Sequence, residues 1–337
     1  MGLDTVTQLL LPAIEAELRK AVALADGDGL GELHGMLAYH MGWQGEGAGP
    51  KAAGKRIRPM LLLLTCESAG GKWREALPAA VAVELVHNFS LIHDDIEDNS
   101  PLRRGRPTVW AKWGVPQALN AGDSMFILAH LSILRLGETI PAETTMKAAR
   151  LLHETCLKLT QGQYLDISYE SRQDLILEAY WPMVSGKTAA LLSACAELGA
   201  VIAGADDFRQ GSYRQFGRDL GLAFQAQDDL LGVWGNAALT GKSTESDLLS
   251  GKKSLPVLYG LGLGGPFARR WQQGPVHAEE VPALARQLEA EGAKGYTQEI
   301  ADHLTGQALE HLESAHPQGE AGEALRELAL ALVSRKK

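Results

Sequence analysis

The run His93-Asp94-Asp95-Ile96-Glu97-Asp98 closes a long apolar stretch, Ala79 to Ile92. On a helix, Asp94 and Asp98 stand four residues apart and Asp95 and Asp98 three apart, so their carboxylates share a face. Asn99-Ser100-Pro101 ends the helix there, which crowds like charges at the negative end of its dipole. A hard divalent cation offsets both penalties. A few carboxylates, with the remaining ligand positions left to water or phosphate, suit Mg²⁺ better than an all-protein Ca²⁺ cage. The plain alternative is a solvated acidic helix end.

A second acidic pair, Asp228-Asp229, again closes an apolar run (Leu220 to Phe224), with Gln225 one turn upstream. Alone it reads as a helix terminus or surface face; beside the first motif it suggests a second wall of one metal-filled cleft. Basic residues fall where an anion-binding lid needs them: Lys55, Arg56 and Arg58, then Arg103 and Arg104, then Lys242 and Lys252. Arg offers planar paired donors to phosphate oxygens and Lys a mobile point charge. Lys187-Thr188 follows Ser185-Gly186 inside an apolar helical context, so Lys187 either snorkels to solvent or faces a reaction cavity.

These groups need helices to hold them. Aromatics are 6% of residues, β-branched alternation is scarce, and long Ala/Leu-rich segments carry apolar residues at three- and four-residue spacing. The expectation is an all-α protein with helices near 4–25, 28–42, 56–69, 75–98, 115–137, 141–168, 172–203, 205–234, 254–263, 278–291, 294–315 and 319–334. Polar, Gly/Pro-punctuated breaks at 44–54, 99–108 and 235–253 read as loops at helix ends, as does 264–275. No repeat or low-complexity tract is present.

Bulk properties exclude several classes. With 45% hydrophobic residues in 337, the chain can bury a large core, in one big domain or two ordinary ones. A formal charge of -9, from 32 Lys+Arg against 41 Asp+Glu, leaves no electrostatic footprint for nucleic acid or an anionic membrane. Cys66, Cys156 and Cys195 are odd in number and set in apolar patterns, the mark of core residues in a reducing compartment. The segment from Met1 to Val22 mixes charges into its apolar residues, so neither a signal peptide nor a spanning helix is expected, and Val6 stands where a myristoylation signal wants Ser or Thr. A soluble cytoplasmic protein is the expectation.

Taken together, these residues resemble the trans-isoprenyl diphosphate synthases, the family of farnesyl and geranylgeranyl diphosphate synthases. The matching stretches are Gly54-Lys55-Arg56-Ile57-Arg58-Pro59, His87 through Asp98, Pro101-Leu102-Arg103-Arg104-Gly105, Gly186-Lys187-Thr188, Phe224-Gln225 with Asp228-Asp229, and Gly241-Lys242 leading to Asp247 and Lys252. They occupy about residues 54–256 in the family's order. The resemblance implies one all-α domain over 1–337, a helical bundle around a deep central cavity (the isoprenoid synthase fold), forming a homodimer.

It also implies roles. Asp94, Asp98 and Asp228 would bind Mg²⁺, as many as three ions per site, with Asp95 and Asp229 supporting. Arg103, Lys187, Lys242 and Lys252 would hold the allylic diphosphate, and Lys55, Arg58, His87 and Arg104 the isopentenyl diphosphate. Thr188 and Gln225 would offer oxygen dipoles to a transient allylic cation, with Lys187 beside them. One departure stands out: the family's second motif commonly ends in a further Asp, where this chain has Gly232.

The growing tail should pass the residues one turn ahead of Asp94, here Phe89 and Ser90. In the family, a single aromatic at the fifth position before the motif suggests a C20 product, geranylgeranyl diphosphate. The alternative is farnesyl diphosphate, with Phe89 an ordinary core residue. A terpene cyclase would share the ionisation chemistry but has no use for a second diphosphate site. A non-catalytic subunit of a heteromeric synthase is the reading that Gly232 alone would favour.

Overall fold

The structure, a computed structural model, describes residues 2–235 and 247–333. Helix follows helix: α1 Leu3–Ala23, α2 Gly31–His40, α3 Pro50–Ala53, α4 Ile57–Ser68, α5 Leu77–Glu97, α6 Val109–Trp113, α7 Val115–Leu134, α8 Ala142–Glu170, α9 Tyr180–Val184, α10 Ala190–Ile202 and α11 Asp207–Trp234. Further helices span Asp247–Ser250, Leu255–Gly262, Pro266–Trp271, Val281–Ala290, Ala293–Ser314 and Gly319–Val333. Among the described residues the only strands are β1 Leu102–Arg103 and β2 Arg106–Pro107, one antiparallel pair. The all-α expectation holds.

The chain divides into two compact units. The first comprises Met1–Glu154, Ala194–Tyr213 and Ala315–Leu328; the second comprises Thr155–Ser193, Arg214–Ser314 and Ala329–Lys337.

In the first unit α5 packs along α7 and against α4. Pro78, at the start of α5, has no backbone N–H to lose there and presets the helical φ. Leu61 to Leu64 of α4 and Ala79 to Val83 of α5 are all buried, and a helix apolar on every side belongs at the centre of a core. The stretch Trp73–Glu97 is long and apolar enough to cross a membrane, but two thirds of its apolar window is buried inside the protein, the position of a core helix.

In the second unit the core gathers Tyr180, Met183, Val184 and Ala189 against Leu222, Ala223, Ala226, Leu255, Leu258, Ala301 and Leu304. A neighbouring cluster places Phe267 and Trp271 beside Val257 and Leu288.

Several expectations need correction. The helix foreseen over 172–203 is interrupted: Arg172 turns onto the Asp174 carboxylate at 2.9 and 2.7 Å, Ile176 is extended, and helical backbone resumes only at Leu177. Inside it, Ser185–Ala189 is a π-helical turn. The loop foreseen over 264–275 contains the helix Pro266–Trp271, because Pro266 initiates that helix at its first position. The loop foreseen over 44–54 contains the single turn α3, and that over 235–253 contains the single turn Asp247–Ser250.

Candidate active site

In the first unit, the site is built where α5 stops. Asp98 N–H donates to Asp94 O at 2.8 Å and Ser100 N–H to Asp95 O at 2.9 Å, closing the last turn. Asn99 adopts φ 49°, a left-handed conformation that Asn tolerates. The helix therefore ends where the sequence indicated, and the chain turns directly into the β1–β2 hairpin. Leu102 pairs with Pro107 and Arg103 with Arg106, leaving Arg104 and Gly105 as a two-residue turn with φ 53° and 75°. Positive φ at both positions is the turn that matches strand twist.

That hairpin aims its arginines. Arg103 Nε donates to Asp95 Oδ1 at 2.8 Å, and Nη2 lies 2.8 Å from the same oxygen. Asp95 is buried, and its Oδ2 has no hydrogen-bond partner. Burial pushes its pKa up to about 6 despite Arg103. Arg104 Nη1 donates to Ala52 O at 2.7 Å, and its guanidinium covers Gly54 so closely that a Cβ there would sit 2.7 Å from Nη2. Gly54, at φ 85°, is thus required twice over.

Arg58 and His87 lie in the same unit. Arg58 Nε is buried with no hydrogen-bond partner. Burial lowers the pKa of Arg58, and burial followed by Arg58, Arg104 and Arg103 drives His87 well below the ordinary histidine range. A neutral imidazole among three guanidiniums, one with an orphaned donor, is a pocket short of negative charge. Lys55 is exposed nearby in sequence.

Arg56 leaves the expected anion-binding set. It is 2% exposed, with Nε donating to Glu15 at 2.7 Å and Nη1 to Glu84 at 2.8 Å, so its charge is spent within the fold. His40, which the sequence reading passed over, faces the same arginines: burial, then Arg103 and Arg104, lower its pKa to about 3. A cavity of 20 Å³ is lined by His40, Asp95, Arg103 and Arg104.

Phe89, one turn before Asp94, is buried and packs its ring 4.8 Å from that of Phe126 on α7. Phe126 in turn meets His130 edge-on at 4.4 Å. Ser90 turns its hydroxyl back onto His87 O at 2.8 Å.

In the second unit, Lys187 and Thr188 sit on the π-helical turn. Such turns rarely persist without tertiary support, and here Gly162 of α8 supplies it. A Cβ at Gly162 would lie 2.1 Å from Lys187 N, and one at Gly186 would lie 2.7 Å from Lys158 O, so the two backbones touch glycine to glycine. One turn past Gly162, Asp166 forms an ion pair with the Lys187 ammonium. Thr188 Oγ1 donates to Gln225 Oε1 at 2.7 Å, and Gln225 Nε2 donates to Asp229 Oδ1 at 2.8 Å. Tyr180 OH and Leu255 N–H donate to Asp229 Oδ2 at 2.8 and 2.9 Å. Burial raises Asp229 to about 6, with Lys252 opposing.

Asp228, half-buried, precedes it on α11. Burial acts against the Lys252 ammonium, yet the carboxylates of Asp247, Asp229, Asp166 and Asp228 outweigh it and raise its pKa. Lys242 lies outside the described residues.

Sequence reasoning therefore found most of these side chains and missed their partners. Asp166, Tyr180 and His40 carried no motif; the only sequence signal for Asp166 is its place one turn after a glycine on a helical pattern.

Paired carboxylates at the end of α5 stand with guanidiniums in the first unit, and paired carboxylates on α11 with ammoniums in the second, on an all-α frame. The polyprenyl synthetase family model matches residues 49–273. A (2E,6E)-farnesyl diphosphate synthase of Mycobacterium tuberculosis (strain ATCC 25618 / H37Rv) is 40% identical over 311 residues, covering 89% of this chain and 86% of its own. The crystal structure of a geranylgeranyl pyrophosphate synthetase from Pyrococcus horikoshii Ot3 has a TM-score of 0.88 at 31% identity, over 99% of this chain and 98% of that one. A polyprenyl synthase from Caulobacter crescentus CB15, complexed with calcium and isoprenyl diphosphate, has a TM-score of 0.85 at 27% identity, over 99% and 97%. This chain belongs to the polyprenyl synthetase family and is a trans-prenyl diphosphate synthase, a prenyltransferase.

Proposed function

We propose that the enzyme condenses isopentenyl diphosphate with allylic diphosphates and stops at C20, geranylgeranyl diphosphate. The observation that carries the length is Phe89, the fifth residue before Asp94, held in place by the ring of Phe126 at 4.8 Å. Farnesyl diphosphate is the second reading, favoured by the name of the mycobacterial relative.

Charge supports the division of labour. Arg58, with its orphaned buried Nε, neutral His87, Arg104 and Lys55 would hold isopentenyl diphosphate. Arg103, Lys187, Lys252 and Lys242 would hold the allylic diphosphate. A terpene cyclase would have no need of the first set.

Asp94, Asp98 and Asp228 would hold Mg²⁺, with Asp95 and Asp229 behind them. Oxygen donors alone, and a buried Asp95 Oδ2 with no hydrogen-bond partner, fit a hard cation. When bound, Mg²⁺ supplies positive charge to the departing diphosphate. As the allylic C–O bond ionises, Thr188 and Gln225 would turn oxygen toward the cation while the isopentenyl alkene attacks it. The resulting carbocation then loses a proton to the departed diphosphate to form the new double bond, and no covalent enzyme intermediate is required.

We read residues 1–337 as one synthase domain and the working assembly as a homodimer. The exposed Leu119, Ile127, Leu131 and Leu134 of α7 support an apolar interface. Burial pushes the thiols of Cys66, Cys156 and Cys195 up to about 12, 11 and 12, which suits a reducing cytoplasm.

The test is product analysis with Mg²⁺, labelled isopentenyl diphosphate and, separately, C5, C10 and C15 starters. Label in a C20 diphosphate is expected. A C15 stop overturns the length reading, and no incorporation by folded protein makes the chain a non-catalytic subunit.

A further inference from the structure

Tyr180 has no place in the roles assigned above, yet it is 1% exposed and its hydroxyl is spent on a single acceptor, Asp229 Oδ2, at 2.8 Å. The second donor to that oxygen is the Leu255 amide. Gln225 Nε2 donates to Asp229 Oδ1 at 2.8 Å, so the NH₂ end of the amide faces the carboxylate. That choice fixes the amide. Its carbonyl oxygen then faces Thr188, whose hydroxyl proton it takes at 2.7 Å.

The polarity of the whole chain follows. With its proton committed to Gln225, Thr188 Oγ1 presents only lone pairs, and Gln225 Oε1 keeps a second lone pair of its own. Were the amide reversed, its positive NH₂ edge would stand where oxygen is needed, and a developing carbocation would be repelled.

We propose that Tyr180 is a positioning residue for turnover: with the Leu255 amide it locks Asp229 as an acceptor, and through Asp229 it orients Gln225 and Thr188 oxygen-outward. The inference rests on the reading that Gln225 and Thr188 meet the allylic cation. Tyr180 touches no substrate and acts only through this relay.

The experiment is a double-mutant cycle on the full-length enzyme. Tyr180→Phe keeps the buried ring and removes only the hydroxyl; Gln225→Met keeps the bulk and removes the amide. Tyr180→Phe is expected to lower kcat roughly tenfold or more, the kinetic equivalent of one hydrogen bond to a charged acceptor. KM for both substrates and the Mg²⁺ requirement should stay within about twofold, since the relay acts on the transition state and not on binding. In the Gln225→Met background the same change should add little.

Full additivity of the two losses overturns the relay, as does a loss expressed in KM or in Mg²⁺ dependence. A Gln225→Met enzyme with unchanged kcat instead removes the underlying reading of Gln225, which separates the two failures. Should Phe at 180 cost the fold, 3,5-difluorotyrosine at that position keeps ring and hydroxyl and alters only donor strength. A change confined to kcat is again expected, and an unmoved kcat overturns the proposal.

Discussion

A Cβ placed on Gly232 would lie 2.3 Å from Oδ2 of Asp247 and 2.6 Å from its Cγ. The family's second motif commonly carries an aspartate where this chain has Gly232, and the Asp247 carboxylate fills the space that such a side chain would claim. Asp247 is also the first among the carboxylates that raise the Lys252 pKa.

Restoring an acid at that position should therefore harm the enzyme. In Gly232→Asp the Asp247 carboxylate must swing away, because it is the movable end of a side chain, and Lys252 loses its strongest opposing charge. KM for the allylic diphosphate is expected to rise about tenfold, the equivalent of one charge-assisted contact. Thermal stability should change little. Steady-state kinetics with each substrate varied in turn checks this, and a variant with wild-type KM would show that Asp247 does not place Lys252.

Gly162→Ala is the second test, because the added methyl would meet Lys187 N at 2.1 Å. Backbone cannot yield as a side-chain tip can, so the π-helical turn must shift and carry Lys187 and Thr188 with it. Overpacking of this kind costs about 1–3 kcal/mol of stability. If Lys187 and Thr188 act as proposed, displacing them by about 1 Å costs on the order of a hundredfold in turnover. Melting curves and kcat are read together, and a folded Gly162→Ala enzyme with full turnover would dismiss the glycine contact as support for Lys187.

Product length can be tested at two rings instead of one. Phe89→Ala leaves the Phe126 ring, 4.8 Å away, still in place. The single variant should lengthen the product by one or more C5 units, and Phe89→Ala with Phe126→Ala should lengthen it further. Truncating the buried Phe89 ring costs about 3–5 kcal/mol, and the half-buried Phe126 ring less, so the variants are assayed at low temperature. Chromatography of the dephosphorylated products decides; an unaltered profile from the double variant would place the limit elsewhere.

The acidic motif at the end of α5 was readable from sequence because its geometry is local: carboxylate spacing and the helix stop at Asn99-Ser100-Pro101 act within one turn. Arg56 and Arg58 show where such reading ends. Both stand in Lys55-Arg56-Ile57-Arg58-Pro59, and only contacts with Glu15 and Glu84, 41 and 28 residues away, assign Arg56 to the fold. Asp166 and Tyr180 were hidden for the same reason, since each meets a partner far along the chain. The π-helical turn was hidden differently: Gly186-Lys187-Thr188 keeps a helical pattern, and the extra residue in the turn is dictated by contact with Gly162.

The arginine cluster predicts a pH signature. His40 is held at about 3 and His87 well below the ordinary value, each by burial first and neighbouring arginines second. Their folded-state pKa values are depressed. The stability they contribute is present above the unfolded value of about 6.5 and is lost as pH falls toward the folded value. Asp95 and Asp229 work in the opposite sense, since burial raises each to about 6. Their contribution is full below the unfolded value of about 3.9 and is lost as pH rises through 6. Between pH 6 and 4 the two histidines and the two carboxylates therefore pull in opposite directions in the wild type. His40→Gln removes one side of the balance. As pH falls from 6 to 4 in metal-free buffer, the wild type should lose stability relative to the variant by about 1.4 kcal/mol per pH unit. Urea unfolding of both proteins at pH 6, 5 and 4 measures the difference, and parallel stability curves would mean that His40 takes up its proton as readily folded as unfolded.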